Sequence, residues 1–318
     1  MTNNQIIENF SPFNSLELFG LNKYFLDYKK LIENKKIPKV TMFSGDKGIG
    51  KFTLSLHLIN YFLSVNSKND YDLLNKKINK ESAIYKSILY NICDNFIYVG
   101  NETNKKISIN DVRQIKKKFN TTSLNNIPKF TVIDDVELLN INAANSLLKL
   151  IEEPSENNYF ILINNKQNKI IETIKSRSIE TKIFVKKNEK KEIFNKLLDL
   201  HNIESHFSHN FLNLSSPGNL IKFSDCLKKM KINSDATLYE VSSKLLNNYK
   251  KSKNETDIYT LSFFLEIKFF NQIHIENKKF NKLLEIKKDI MKLIYDYKNY
   301  NLSTSTVLDY IKRHELYA

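Results

Sequence analysis

Apolar residues recur in two rhythms along this chain, and the change of rhythm divides it. Up to residue 185, short apolar runs alternate with segments of helical period, the pattern of an α/β domain built on a parallel sheet. Five runs predict strands: Val40–Ser44, Phe96–Val99, Phe130–Asp134, Tyr159–Asn164 and Lys182–Val185. Between them Ile109, Val112, Ile115 and Phe119 share one helical face, opened by Ser108 and Asp111 at capping-box spacing. Ala144, Leu147, Leu148 and Ile151 form a second stripe, on a helix predicted to start at Asn142 and to be stopped by Pro154. The Asn- and Lys-rich patch Asn66–Lys77 reads as a loop.

Beyond residue 186 the strand pattern fades. Segments at Glu189–His201, Ser208–Leu214 and Asn219–Lys229 predict a small three-helix unit, with Pro217 suited to the first turn of the last helix. From about Ser234 to Ala318 the pattern is of longer amphipathic helices rich in Phe, Tyr and Leu, broken at Asn248–Thr256 and Asn299–Ser305. The predicted parts are therefore residues 1–185, 186–232 and 233–318.

Composition narrows the classes. A chain of 318 residues with 41% apolar content can build real cores. No run approaches the roughly 18 consecutive apolar residues of a membrane span, and the polar start from Met1 to Ser11 does not resemble a signal peptide, so a cytoplasmic chain is expected. Cys93 and Cys226 form no pattern, which leaves neither a disulfide framework nor a four-cysteine zinc site. His201, His206 and His209 have no acid or cysteine at ligand spacing, and no metal site is expected there. The formal charge of +14 fits contact with DNA and fits equally an abundance of lysine spread along the whole chain. That abundance makes arginine informative. Of 49 basic residues only Arg113, Arg177 and Arg313 are arginines, and a planar, always-charged fork has uses that lysine cannot meet.

The chemistry concentrates after the first strand. Gly45-Asp46-Lys47-Gly48-Ile49-Gly50-Lys51 holds three of the six glycines between a strand and a helix. Glycines there let successive N–H groups curl around phosphate, while Lys51 would reach the β- and γ-phosphates. The competing reading is a tight turn with no ligand. Phe52 stands where a working NTPase carries the Ser or Thr that holds magnesium, and Thr53 points about 100° away on the helix. The run from Phe130 to Asp135 ends a strand in two acids. Asp134 would hold magnesium through water and Asp135 would polarise the attacking water, unless both merely cap the strand. Asn164 or Asn165 ends the next strand, where a side chain could sense a γ-phosphate. Arg177, in Ser176-Arg177-Ser178, reads as an arginine finger supplied to a neighbouring subunit, or as a surface arginine paired with a local acid such as Glu180.

These motifs, in this order, resemble the clamp-loader branch of the AAA+ ATPases, and within it the delta-prime family of stators. The residues carrying the resemblance are Leu18-Phe19-Gly20, Ile37-Pro38 leading to Phe43-Ser44-Gly45, Gly48 to Leu54, Ile109 to Ile115 around Arg113, and Ile133-Asp134-Asp135. The most specific are Asn142 to Lys149 running into Glu152-Glu153-Pro154, followed by Thr173 to Ser178. The resemblance implies an AAA+ P-loop domain with a five-stranded parallel sheet, then an all-α lid and an all-α helical collar. It also implies ATP-dependent loading of a sliding clamp onto primed DNA, with gamma/tau motor subunits and a delta subunit as partners. Arg177 would be the trans finger. Gly45, Gly48, Gly50, Lys51, Thr53, Asp134, Asp135 and Asn164 would form a degenerate nucleotide site, holding ATP or ADP with magnesium weakly and no zinc. Phe52, and Asn219 where motor subunits often carry a nucleotide-sensing arginine, favour a stator over a hydrolysing motor. The alternatives are an active motor subunit and a stand-alone DNA-binding protein with a vestigial loop.

Overall fold

The computed structural model describes residues 11–64, 70–100, 107–119, 127–233, 236–275 and 280–314. The polar start of the chain up to residue 10 lies outside them, as do residues 66–69 of the Asn- and Lys-rich patch. Contacts divide the chain into two compact units: Met1–Lys196 with Ser216–Gly218, and Leu197–Ser215 with Asn219–Ala318.

The first unit is an α/β layer structure. In chain order it holds α1 (Asn22–Glu33), β1 (Val40–Ser44), α2 (Lys51–Leu63), β2 (Tyr71–Asp72), β3 (Lys77–Ile78), α3 (Ala83–Leu89) and β4 (Phe96–Val99). There follow α4 (Ile109–Phe119), β5 (Lys129–Ile133), α5 (Ile141–Ile151), β6 (Asn158–Asn164), α6 (Glu172–Lys175), β7 (Ile179–Lys182) and the start of α7 (Lys187–His201). Five strands form one parallel sheet in the order β4-β5-β6-β1-β7. All of β1 and β5 is buried, as a sheet covered by helices on both faces demands. Strand alternation sends Phe43, Phe130, Val132 and Ile161 to the face covered by α1 and α2. Met42, Ile133, Phe160 and Leu162 go to the face covered by α4 and α5.

Local chemistry sets most of the boundaries. Asn140 caps α5 by accepting the N–H of Ala143 at 2.8 Å, so that helix starts at Ile141, one residue before the predicted Asn142. Asp111 takes both the N–H and the hydroxyl of Ser108, at 2.8 and 2.7 Å, and so fixes the start of α4. The patch read as a loop contains the small β2–β3 hairpin. The last strand is Ile179–Lys182 instead of Lys182–Val185. Being an edge strand, it pairs only with β1, and its four side chains are exposed or half-buried with none fully buried, so its apolar signal is weak.

His57, on α2, fastens the chain's start to this core. Its ring is fully buried, with Nε2 3.1 Å from the Ser15 carbonyl oxygen and Nδ1 2.9 Å from the Tyr71 hydroxyl. A carbonyl only accepts, so Nε2 carries the proton and the tyrosine donates to Nδ1. Burial pushes this imidazole down to about 4.

The second unit is helical. It contains the end of α7, most of α8 (Pro217–Lys229), and α9 (Leu238–Ser252), α10 (Glu255–Ile275), α11 (Phe280–Tyr300) and α12 (Thr304–His314). The predicted Ser208–Leu214 helix is a 3-10 turn, His209–Asn213. Helix α9 opens with a full capping box between Thr237 and Glu240. Helix α10 is apolar nearly all round, with Leu261, Leu265 and Phe269 fully buried, and accordingly packs against both α9 and α11. At its first turn Asp257 is buried, accepting from Asn248 Nδ2 at 2.9 Å and from the Cys226 thiol at 3.5 Å. Burial raises that carboxyl above its ordinary value. No described helix is long and apolar enough to cross a membrane.

Candidate functional site

The glycine-rich loop joins the buried end of β1 to the first turn of α2, and its glycines are there for steric reasons. Gly48 and Gly50 have φ of 82° and 93°, a region that side chains rarely adopt. A Cβ at Gly45 would lie 2.7 Å from the carbonyl oxygen of Ile183, so the loop must start on a glycine to pass beside the strand edge. The far side of the loop is closed by Gly218, whose N–H donates to the Gly48 carbonyl at 3.1 Å.

Lys51 begins α2 and is almost wholly buried under the loop, its ammonium donating to the carbonyl oxygens of Gly45 and Asp46 at 2.7 Å each. Those bonds brace the loop from within. Burial pushes the ammonium down to about 8, opposed by the negative charges of Asp134, Glu137, Asp46 and Asp135. Thr53 is half-buried on the same first turn.

The two acids follow β5. Asp134 is half-buried, and Asp135 is buried in the left-handed conformation with φ of 55°. The bend leads into a 3-10 turn at Val136–Leu138. Burial and the adjacent Asp135 raise the Asp134 carboxyl, against the pull of Lys47 and Lys51. Lys47, from the loop, lies 3.3 and 3.2 Å from the two oxygens of Asp135. Asn165 Nδ2 donates to Asp134 at 3.0 Å and to Asp135 at 2.7 Å. Of the two asparagines at the end of β6, Asn165 therefore faces the acids, while Asn164 turns to the Ser44 hydroxyl at 3.3 Å. Glu137 completes the cluster. One of its oxygens accepts the backbone N–H groups of Asn165 and Gln167, at 2.9 and 3.2 Å, tying the turn after β5 to the loop after β6.

Phe52 faces an aromatic cluster. Its ring meets Phe13 at 4.8 Å and Tyr98 at 5.0 Å, both edge-on, and Phe13 meets Tyr98 at 5.2 Å. The position that carries a metal-binding hydroxyl in a working loop here packs Phe13 against β4.

Arg177 stands apart from this cluster, in the turn between α6 and β7. Its side chain is 37% exposed and pairs with Glu152 at 2.8 Å, while Nη1 donates to the Thr173 carbonyl at 3.1 Å. The partner is thus Glu152, just past the end of α5, and not the neighbouring Glu180. The sheet brings Gly45, Gly48, Gly50, Lys51, Asp134 and Asp135 together and leaves Arg177 outside their reach. Lys47 and Glu137 are residues to which periodicity and motif spacing gave no role, and Glu152 entered only as part of the Glu152-Glu153-Pro154 element. A charged residue inside the glycine loop and a third acid after the strand were the only signals for the first two. The other two arginines are exposed, and Arg113 Nη1 donates to Asn110 Oδ1 on its own helix, at 3.4 Å.

A family model described as DNA polymerase III, delta subunit, matches residues 21–187, just over half of the chain. A DNA polymerase III subunit delta' of Buchnera aphidicola (subsp. Schizaphis graminum) is 27% identical over 200 residues, covering 54% of this chain and 55% of that one. The subunit delta' of Pseudomonas aeruginosa is 33% identical over 87 residues, 27% of this chain and 26% of that one. A DNA polymerase III subunit gamma of the same Buchnera is 30% identical over 160 residues, 50% of this chain and 41% of that one. The chain thus spans about half or less of the curated relatives it matches. Among solved structures, a DNA polymerase III gamma subunit-related protein from Thermotoga maritima superposes with a TM-score of 0.54 at 17% identity, over 92% of this chain and 98% of that one. That likeness is one of fold, a parallel α/β domain followed by helices.

Proposed function

The chain belongs to the DNA polymerase III, delta subunit family, as a delta-prime-like clamp-loader subunit, and from that premise we propose that it is the non-hydrolysing stator of its complex. The observation that carries this reading is Phe52. Its ring is buried in the Phe13–Tyr98 cluster at the position from which a motor subunit would hold magnesium, so the chain's own site lacks a catalytic metal ligand.

Arg177 then supplies what the chain contributes to catalysis. Its guanidinium is partly exposed and steadied on both sides by Glu152 and the Thr173 carbonyl, which limits the rotamers it must give up when it engages a phosphate. In the assembly it enters a neighbouring motor's ATP site and stabilises charge on the transferring γ-phosphoryl group. The partners are the gamma/tau motor subunits and the delta subunit, with the sliding clamp and primed DNA engaged during loading.

The test is steady-state ATPase of the reconstituted clamp loader with clamp and primed DNA, comparing Arg177→Ala with wild type and running the chain alone beside them. A silent chain and a loss of about 10³-fold at the site served by Arg177 are expected. Hydrolysis by the chain alone, with an unimpaired mutant complex, sinks the stator reading. It would favour an active motor subunit, the reading that the gamma relatives and the intact Lys51 loop support.

A further inference from the structure

A P-loop site holds magnesium through the hydroxyl after the loop lysine and through a strand-end aspartate. Phe52 removes the first. The second is engaged elsewhere. Asp135 Oδ1 accepts from Lys47 at 3.3 Å and Asn165 at 2.7 Å, and Oδ2 accepts from Lys47 at 3.2 Å. Asp134 Oδ1 accepts from Asn165 at 3.0 Å and from the backbone N–H of Asp135 at 2.9 Å. Three of the four carboxylate oxygens thus carry N–H donors. Magnesium demands oxygen lone pairs in near-octahedral array and repels hydrogens aimed into the same space. These residues do not fit it.

The phosphate half of the site is intact. The loop keeps its two left-handed glycines, and Lys51 braces it from beneath. Lys47 springs from the loop itself and is paired with Asp135 across the site. It brings a second positive charge to the loop beside that of Lys51. We propose that the Lys47 ammonium takes the place of the divalent cation, and that the loop binds the phosphates of a nucleoside diphosphate or triphosphate without metal. The pairing with Asp135 holds Lys47 at the loop, as a strand-end acid elsewhere holds magnesium. Asn165 donates hydrogen bonds to both acids and so occupies oxygens that would otherwise face the incoming phosphate. The proposal goes beyond the stator reading and does not depend on Arg177, because it concerns the chain's own loop.

It is tested by calorimetric titration of the full chain with ADP, once in magnesium and once in EDTA. ADP is expected to bind in EDTA at least as tightly as in magnesium, since no metal bridges protein and phosphate and magnesium sequesters the free nucleotide. Lys47→Met keeps the aliphatic stem and should weaken ADP in EDTA about tenfold, the loss of one charge-assisted bond, while Lys47→Arg should retain the affinity. Melting curves of both variants establish that they fold. The proposal is overturned if magnesium tightens ADP by about tenfold or more, if ADP binds in neither buffer, or if Lys47→Met binds as well as wild type. Each of these outcomes is read on the chain alone and leaves the Arg177 experiment in the assembly untouched.

Discussion

Replacing Phe52 by threonine restores, on paper, the hydroxyl that a magnesium site needs. The structure predicts damage without gain. The ring is 6% exposed and makes edge-on contacts to Phe13 and Tyr98 at 4.8 and 5.0 Å. Truncating a buried phenylalanine costs about 3–5 kcal/mol, and each aromatic pair adds about 0.5–1.5 kcal/mol beyond area. Threonine keeps the Cβ and a methyl, so a net loss of about 3 kcal/mol is expected at the Phe13–Phe52–Tyr98 cluster. With a urea slope of about 2–3 kcal/mol/M for a unit of this size, the midpoint should fall by about 1 M. The chain has no tryptophan, so unfolding is followed by circular dichroism. Magnesium-dependent ATP turnover by the variant alone should stay at background, because Lys47 and Asn165 still engage the acids. A midpoint shift below about 0.3 M, or turnover that appears with magnesium, would refute the reasoning.

Two further predictions concern pH. His57 is held at about 4, below its ordinary value of 6.5, so the unfolded chain takes up the proton first. Its contribution to stability is complete above about pH 6.5 and is lost as pH falls to about 4, some 3 kcal/mol in all. Urea midpoints measured across that window should drop in wild type and stay flatter in His57→Asn, and equal slopes would discard the staple. Asp257 shifts the opposite way: burial raises its carboxyl, so its contribution is present below the ordinary carboxylate range and lost as pH rises through the raised value. Asp257→Asn should therefore melt at or above wild type near neutral pH, with a weaker pH dependence. A variant that melts far lower with an unchanged slope would show that the charge is needed there.

Much of the site is legible in the residues because a phosphate loop is a local object. Its glycines, its lysine and the helix after it are contiguous, and their conformations follow from the sterics of a few neighbouring residues. The strand-end acids are legible for the same reason, as is the strangeness of Phe52. The details that set the chemistry are not contiguous. Asn164 and Asn165 are the same residue type at adjacent positions, and only the folded end of β6 decides that Asn165 faces the acids and Asn164 faces Ser44. Glu152 and Arg177 are separated by a strand and a short helix, and no spacing rule pairs them.

By itself the sequence determined the parallel α/β half, the helical remainder, the phosphate loop and the missing metal hydroxyl, because hydrophobic period and glycine placement act over a few residues. The tertiary structure alone decided which charges meet. Parallel pairing of β1, β5 and β6 sets the loop after one strand beside the acids after another, which makes Lys47 the partner of Asp135. It also decided what Phe52 does instead of binding metal, since Phe13 and Tyr98 come together around it only once the sheet has formed. Electrostatics and packing act through space, and that space exists only after the strands have found their order.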